Sequence, residues 1–379
     1  MVTPPTSEAI TAALATVLDP EIKKPLTDLG MVKSVDVGAS GAVRVEIYLT
    51  VSGCPMKDTI RGLVSAAVGR LDGVTSVEVA LDVMSEEQRR DLSTKLRGDR
   101  PVRDIPFAAP GSLTRVYAVA SGKGGVGKST VTVNLAVAMA QQGLTVGVLD
   151  ADIYGFSVPR MMGAHGRPTQ VEDMIMPPQA HGVRVISIAM FTRDNAPVVW
   201  RGPMLHRALQ QFLSDVYWGD LDVLLMDLPP GTGDIAISLA QLVPSSEILV
   251  VTTPQTAARE VAERAGSIAT QTHQNVVGVV ENMAAMTLPD GTLLDLFGSG
   301  GGVMVAEGLS RTLGHDVPLL GSIPLDPRVR VGSDEGQPLV LTDPDSEAAK
   351  ALRSVAERLA GRPRGLAGRS LGLAPAGRA

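Results

Sequence analysis

Lys123 and Lys128 stand at either end of a glycine run, Gly124, Gly125, Val126 and Gly127, with Gly122 ahead of it and Ser129 and Thr130 behind. Those residue types at that spacing suit one task, the holding of phosphate. Glycines let backbone N–H groups turn toward an anion with no side chain in the way. A lysine ammonium adds charge that reaches β- and γ-phosphates, and a serine hydroxyl is a ligand for Mg²⁺. The flanks agree. Residues 116–120, Val-Tyr-Ala-Val-Ala, read as a buried strand, and Val133, Val137 and Ala140 recur on one face of a helix that opens at Lys128-Ser129. Strand, glycine loop, Lys-Ser and helix together make a phosphate-binding loop in its required context. The helix N-terminus adds partial positive charge at the same point.

Acids follow at strand ends. The second strand of this region ends Leu149-Asp150-Ala151-Asp152, and another ends Val223-Leu-Leu-Met-Asp227. An apolar strand closing on one acid suits Mg²⁺ held through water, so Asp227 is expected to hold the metal and Asp150 to support its shell. A capping or turn aspartate is the other reading of Asp150 and Asp152. The segment Asp227-Leu-Pro-Pro-Gly-Thr-Gly-Asp234 has the proline–glycine composition of a switch whose backbone senses the terminal phosphate.

With two lysines around one loop, the sequence resembles the deviant Walker A class of P-loop ATPases, which includes ParA, MinD and the nitrogenase iron protein. The Asp227–Asp234 string is closest to the Mrp-type (ApbC-like) iron–sulfur cluster carriers, and the order of motifs matches that family from about residue 5 to 345. The resemblance implies a nucleotide-sandwich homodimer in which Lys123 reaches across to the partner's nucleotide. It implies that Asp152 orients the attacking water and that Asn282, in Glu281-Asn-Met283, reads the adenine. ATP is then the nucleotide, and an asparagine amide suits its base edge. The segment 323–327, with Pro324, is expected to close over the base. Phe297-Gly-Ser-Gly-Gly-Gly302 also matches a segment of the family.

These residues need a frame. Strands are expected at 116–120, 146–150, 183–188, 223–227, 248–252, 277–281 and 319–323, with helices between them, notably 129–142, 203–217 and 256–271. That alternation predicts an α/β fold, a P-loop NTPase whose mostly parallel sheet is covered by helices on both faces. Ligands of such sheets bind at the carboxyl ends of the strands. Ahead of it, residues 1–90 read as a small α+β domain. A helix is expected from an N-cap at Ser7, followed by strands at 31–37 and 42–51, a helix at 58–71 and a strand at 74–81. Residues 91–113 read as a linker after a short helix, 114–360 as the ATPase domain and 361–379 as a disordered tail.

Asp19-Pro20-Glu21 and Thr50-Val-Ser-Gly-Cys54-Pro55 resemble the small domain of iron–sulfur assembly factors, in which the loop cysteine is the reactive or ligand position. Cys54 is the chain's only cysteine. Its place before a helix, near Lys57, is expected to lower its thiol pKa; a small thiol packed under the strand is the competing reading. Many Mrp-type members carry a Cys-x-x-Cys after the Glu-Asn-Met segment, which bridges two subunits around a 4Fe–4S cluster. Here that region reads Met283-Ala-Ala-Met-Thr-Leu-Pro-Asp-Gly291, so a dimer offers two thiolates against the usual four.

Composition narrows the rest. The 379 residues are 44% hydrophobic and 20% charged, ordinary for a globular protein, and the net charge of −6 comes with no long basic block, which argues against a nucleic-acid partner. No apolar run reaches membrane-span length, no secretory pattern opens the chain, and the cytoplasm is the expected compartment. The five histidines lack metal-ligand spacing. The expected function is an ATP-hydrolysing iron–sulfur cluster carrier that serves apoprotein clients alongside assembly factors. An ATP-switched adaptor that holds no cluster and a MinD/ParA-like positioning ATPase are the alternatives.

Overall fold

The computed structural model describes residues 4–50, 54, 56–97, 104–109, 111–152, 155–191, 202–231, 234–255, 258–288 and 290–361. The expected disordered tail lies outside these, apart from Gly361, as do positions 51–53 and 55 beside Cys54 and positions 232–233 of the proline–glycine loop. The chain divides into two compact units. One takes Met1–Asp104, His165–Gln179 and Gln210–Gly219; the other takes Ile105–Ala164, Ala180–Leu209 and Asp220–Ala379.

In the first unit β1 (Val32–Val37) runs antiparallel to β2 (Ala42–Leu49), which runs parallel to β3 (Ser76–Val83). Val43, Val45, Ile47 and Leu49 of β2 all point to the core, the period of two that a half-buried strand demands. The parallel pair needs a crossover, and α2 (Lys57–Val68) supplies it, burying Ile60, Val64 and Val68 at helical spacing. α1 (Ser7–Leu14) adds Ile10 and Leu14. Its N-cap is Thr6, one residue before the expected Ser7; the Thr6 hydroxyl accepts from the Ala9 N–H at 3.2 Å. α3 (Glu86–Arg97) is the short helix expected before the proline-rich stretch. The same core takes Val171, Met174 and Met176 from a hairpin of β6 (Thr169–Val171) and β7 (Met174–Met176), together with Tyr217. Three-residue strands are too short to leave a periodic signal, which is why the sequence gives no hint of this hairpin.

The second unit holds the large sheet, ordered β15-β12-β11-β4-β10-β5-β9-β8 among the described residues. The strands are β4 (Arg115–Ala120), β5 (Val146–Asp150), β8 (Gln179–Ala180), β9 (Val183–Ser187), β10 (Val223–Asp227), β11 (Glu247–Thr252), β12 (Val276–Ala284) and β15 (Leu319–Pro324). Every pairing from β15 to β9 is parallel. One face carries α4 (Lys128–Gln141), α5 (Val158–Met161), α10 (Pro327–Glu335), α11 (Leu339–Thr342) and α12 (Glu347–Ala360); the other carries α7 (Asp234–Leu242), α8 (Ala258–Thr272) and α9 (Gly301–Leu313). α6 (Gly202–Ser214) carries the chain toward β10. A short hairpin of two-residue strands, β13 (Met286–Thr287) with β14 (Leu293–Leu294), follows β12.

α4 is buried from Val131 to Met139 without a break, so it is a core helix rather than an amphipathic one. It lies between the sheet and α12. The Tyr117 hydroxyl of β4 and the Arg115 guanidinium both donate to the carbonyl of Leu359, at 3.0 and 3.2 Å, where the last turn of α12 leaves its acceptors unpaired. The phosphate-loop strand is thus fixed by β10, β11 and the final helix.

Candidate functional site

The loop after β4 begins with Gly122 pressed against α8, where a Cβ would meet the Cα of Val261 at 2.9 Å, and its carbonyl accepts from Arg264 at 2.8 Å. Gly125 and Gly127 take φ of 78° and 77°, the left-handed region that side chains resist. Gly127 also lacks room: a Cβ there would strike the Asn282 amide. The resulting cradle opens on a cavity of about 230 Å³ lined by Ser121, Gly124 to Thr130, Asp152, Gly155, Ser157, Met161 and Pro230. No side chain caps the start of α4, so its first N–H groups face this space.

Beneath the loop, Asp227 is fully buried at the end of β10. Its Oδ1 meets the Lys128 ammonium at 2.8 Å and accepts from Thr132 Oγ1 at 2.9 Å, and its Oδ2 accepts from Ser129 Oγ at 2.5 Å. A serine hydroxyl and a carboxylate set side by side are hard oxygen donors of the kind Mg²⁺ takes, so the donor set fits that ion. Lys128 is itself only 6% exposed, so the pair is held in a dry place.

Asp150, beside it on β5, accepts from the Asp152 and Val158 N–H groups and from the Ser187 hydroxyl, at 3.2, 3.3 and 3.1 Å. Burial and the Asp227 charge push its carboxyl well above the usual range. Asp150 therefore braces the segment that follows β5. That segment carries Asp152 to the cavity wall, where Oδ1 accepts from the Gly155 N–H at 2.9 Å.

The expected residues do not all converge on the cavity. Gly124, Gly125, Val126, Gly127, Lys128, Ser129, Thr130 and Asp152 line it. Lys123 turns away and donates to the Gln255 side chain. Asn282 reaches the loop from β12, its amide donating to the Val126 carbonyl at 2.9 Å. Pro324 lies one strand over, paired with Ala284 through the β12–β15 ladder, and lines a second cavity with Met286, Asp326 and Glu347. Thr132 is the residue sequence reasoning missed. Its signal was a polar side chain one turn beyond Lys128 in a mostly apolar stretch of helix, and it is fully buried.

Cys54 is in the first unit, at 5% exposure. Its thiol pKa is raised, not lowered as expected: burial dominates, a hydrogen bond from the Met56 backbone opposes it, and the charges of Glu21 and Asp19 add to it. Asp19 Oδ1 accepts from the Glu21 and Ile22 N–H groups at 2.9 and 2.8 Å, fixing the Asp-Pro-Glu turn. Glu21 is pushed up to about 7 by burial and by Asp19. Among the described residues no three His, Cys, Asp or Glu side chains group as a metal site, and no helix is long and apolar enough to cross a membrane.

Residues 112–360 match the NUBPL iron-transfer P-loop NTPase family, and residues 7–79 match the iron–sulfur cluster assembly protein family. An iron–sulfur cluster carrier protein of Mycobacterium tuberculosis is 67% identical over 97% of this chain and 96% of its own length. Its counterpart in Mycobacterium leprae is 64% identical over 98% and 97%. Among solved structures, a nucleotide-binding protein of Archaeoglobus fulgidus in complex with ADP is 34% identical, with a TM-score of 0.54 over 66% of this chain and 96% of its own.

Proposed function

The chain belongs to the family of NUBPL-type iron-transfer P-loop NTPases, and from that premise we propose that it is an ATP-hydrolysing iron–sulfur cluster carrier. It works in the cytoplasm as a nucleotide-sandwich homodimer and hands clusters to apoproteins. One observation carries the nucleotide half of this reading: the cradle of N–H groups, Lys128 and Ser129 opens on a cavity that Asp152 also lines.

In this reading Lys128 leaves Asp227 for the β- and γ-phosphates, Ser129 and Asp227 would hold Mg²⁺, and Asp150 would support that shell. The ion, when bound, offsets charge on the phosphate oxygens. Asp152 holds a water in line with the terminal phosphate. Lys123 exchanges its Gln255 contact for the nucleotide of the partner protomer, adding charge in trans as an arginine finger does. Asn282 reads the adenine from its position over the loop, and Pro324 closes beside it. Catalysis is then positioning and electrostatics in a pre-shaped site.

The cluster is cargo. One cysteine per chain gives a homodimer two thiolates, so the remaining ligands come from the donor scaffold or the client. Transfer is then an exchange of thiolates, with Cys54 the chain's contribution. Cys54 is buried, so this exchange requires that the thiol be uncovered. The test is anaerobic reconstitution with iron, sulfide and a small thiol that stands in for the client's thiolates, comparing the wild type with Cys54→Ser and assaying ATP turnover in parallel. A cluster in the wild type that the variant loses, with turnover kept in both, is the expected result. No cluster in either, with turnover intact, sinks autonomous carriage and leaves an ATP-switched adaptor.

A further inference from the structure

The glycine run Gly300-Gly301-Gly302 binds nothing in the reading above, yet it is tightly built. A Cβ on Gly301 would meet the Thr253 carbonyl at 2.5 Å, and one on Gly302 would meet the Glu281 Cβ at 2.7 Å. The run brings the first turn of α9 hard against the carboxyl ends of β11 and β12. What it meets there is a buried acid. Glu281 is 6% exposed; its Oε1 accepts from the Gly302 N–H and its Oε2 from the Ser322 hydroxyl, each at 2.8 Å. One carboxylate therefore ties β12 to a helix N-terminus on one side and to β15 on the other, and the helix favours its charge.

The next residues explain why a tie is needed. Met283 adopts φ of 61°, a left-handed conformation uncommon for a non-glycine residue, and the β12–β15 register shifts between Asn282 and Ala284. An irregularity of this kind re-aims the side chains beside it and persists only when its surroundings hold it. Here it lies between Glu281 and Pro324's partner Ala284, and it sets Asn282 over Val126 and Gly127.

We propose that Glu281 is a positioning residue for base recognition: its carboxylate, clamped to Gly302 and Ser322, holds the irregular end of β12 so that the Asn282 amide stays in reach of the nucleobase. The clamp touches no nucleotide and no metal ligand. It acts through Asn282, so it rests on the reading that Asn282 meets the base.

The experiment is equilibrium binding of fluorescent ATP and GTP analogues to the full chain, with Glu281→Ala, Glu281→Gln, Asn282→Ala and the double variant E281A/N282A. Loss of one aligned hydrogen bond sets the scale, so E281A weakens ATP roughly five- to tenfold and GTP less than about twofold. Glutamine keeps an acceptor for Gly302 and a donor for Ser322, and E281Q stays close to wild type. In the N282A background, E281A adds nothing. An equal loss for ATP and GTP, or additivity with N282A, overturns the clamp while leaving Asn282 as base reader. An unchanged ATP preference in N282A itself removes the base reading, and the clamp with it. Should E281A fail to fold, Ser322→Ala breaks one arm only; it narrows the ATP preference about twofold, and no change there overturns the proposal.

Discussion

The phosphate loop and the Cys54 loop share one grammar and end in opposite chemistry. Each follows a strand and runs into a helix, β4 into α4 and β2 into α2. After β4, glycines in left-handed conformations open the turn, and the first N–H groups of α4 face a cavity. After β2, Cys54 is buried in the core of its own unit, and the charges of the acids Asp19 and Glu21 act on it. A helix N-terminus favours an anion by about 0.3–1 kcal/mol, and removing a thiolate from water outweighs that. Position before a helix is thus too little to predict a low-pKa thiol. What separates the two loops is the room that glycine leaves and the charge of what faces it.

Breaking the first loop has the largest expected effect. Lys128→Ala leaves Asp227 buried without its cation, which destabilises by roughly 3–5 kcal/mol. It also lowers turnover roughly 100-fold or more by taking a preorganised charge from the phosphates. Urea unfolding and steady-state ATP hydrolysis read the two effects separately. Cys54→Ala in the other loop costs about 1–2 kcal/mol for the lost sulfur and leaves turnover at the wild-type rate. If Cys54→Ala slows turnover as much as Lys128→Ala does, the two loops are coupled and the contrast is false.

Asp152→Asn comes next. Asparagine keeps the acceptor for the Gly155 N–H, so the wall of the cavity stays in place. Loss of the carboxylate lowers turnover roughly 10²- to 10⁴-fold while nucleotide affinity holds. A matching loss of affinity, read by analogue binding, would move Asp152 from water to nucleotide. Smaller still is the pair Gly125→Ala and Gly127→Ala. Both put a side chain in the left-handed region, at about 1–2 kcal/mol each. Only Gly127 also collides with Asn282, so G127A weakens nucleotide binding more than G125A, whose added Cβ meets no protein atom. Equal effects on binding would mean that loop conformation alone, and not the Asn282 contact, shapes the site.

The phosphate loop was legible because its glycines, lysines and flanking periodicities are local, and Asp227 because an apolar strand closes on a lone acid. The parallel sheet followed from the alternation of strands and helices. What the sequence hid was whatever depended on distant pairing. Thr132 looks like an ordinary β-branched helix residue until Asp227 is set beneath it. Glu281 has no assignable role until Gly302 and Ser322 close on it. The resting contact of Lys123 with Gln255 joins positions 132 residues apart. Cys54 went the wrong way because it joins a core gathered from distant parts of the chain, the β6–β7 hairpin among them, and that hairpin leaves no periodic trace.

The smallest effect is the sharpest probe of the Cys54 side. The Glu21 carboxyl stands at about 7 in the folded chain against 4.5 for the free group, raised by burial and then by Asp19. A folded pKa above the unfolded one means that the folded state holds its proton longer. Below pH 4.5 Glu21 is protonated in both states and costs nothing. As pH rises from 4.5 through 7, ionisation is resisted only in the folded state, so stability falls, and above 7 the loss is complete. Glu21→Gln removes that loss. The full shift would correspond to roughly 3 kcal/mol, and partial exposure of the side chain brings the expected gain at pH 8 to about 1–2 kcal/mol. At pH 4.5 the variant and the wild type should unfold alike. The Glu21 charge also raises the Cys54 thiol pKa, so the same substitution speeds modification of Cys54 by a thiol reagent at pH 8. A stability gain without faster modification leaves burial alone in control of the thiol. Faster modification with no gain in stability marks local opening of the turn, and the acid is then no part of what silences Cys54.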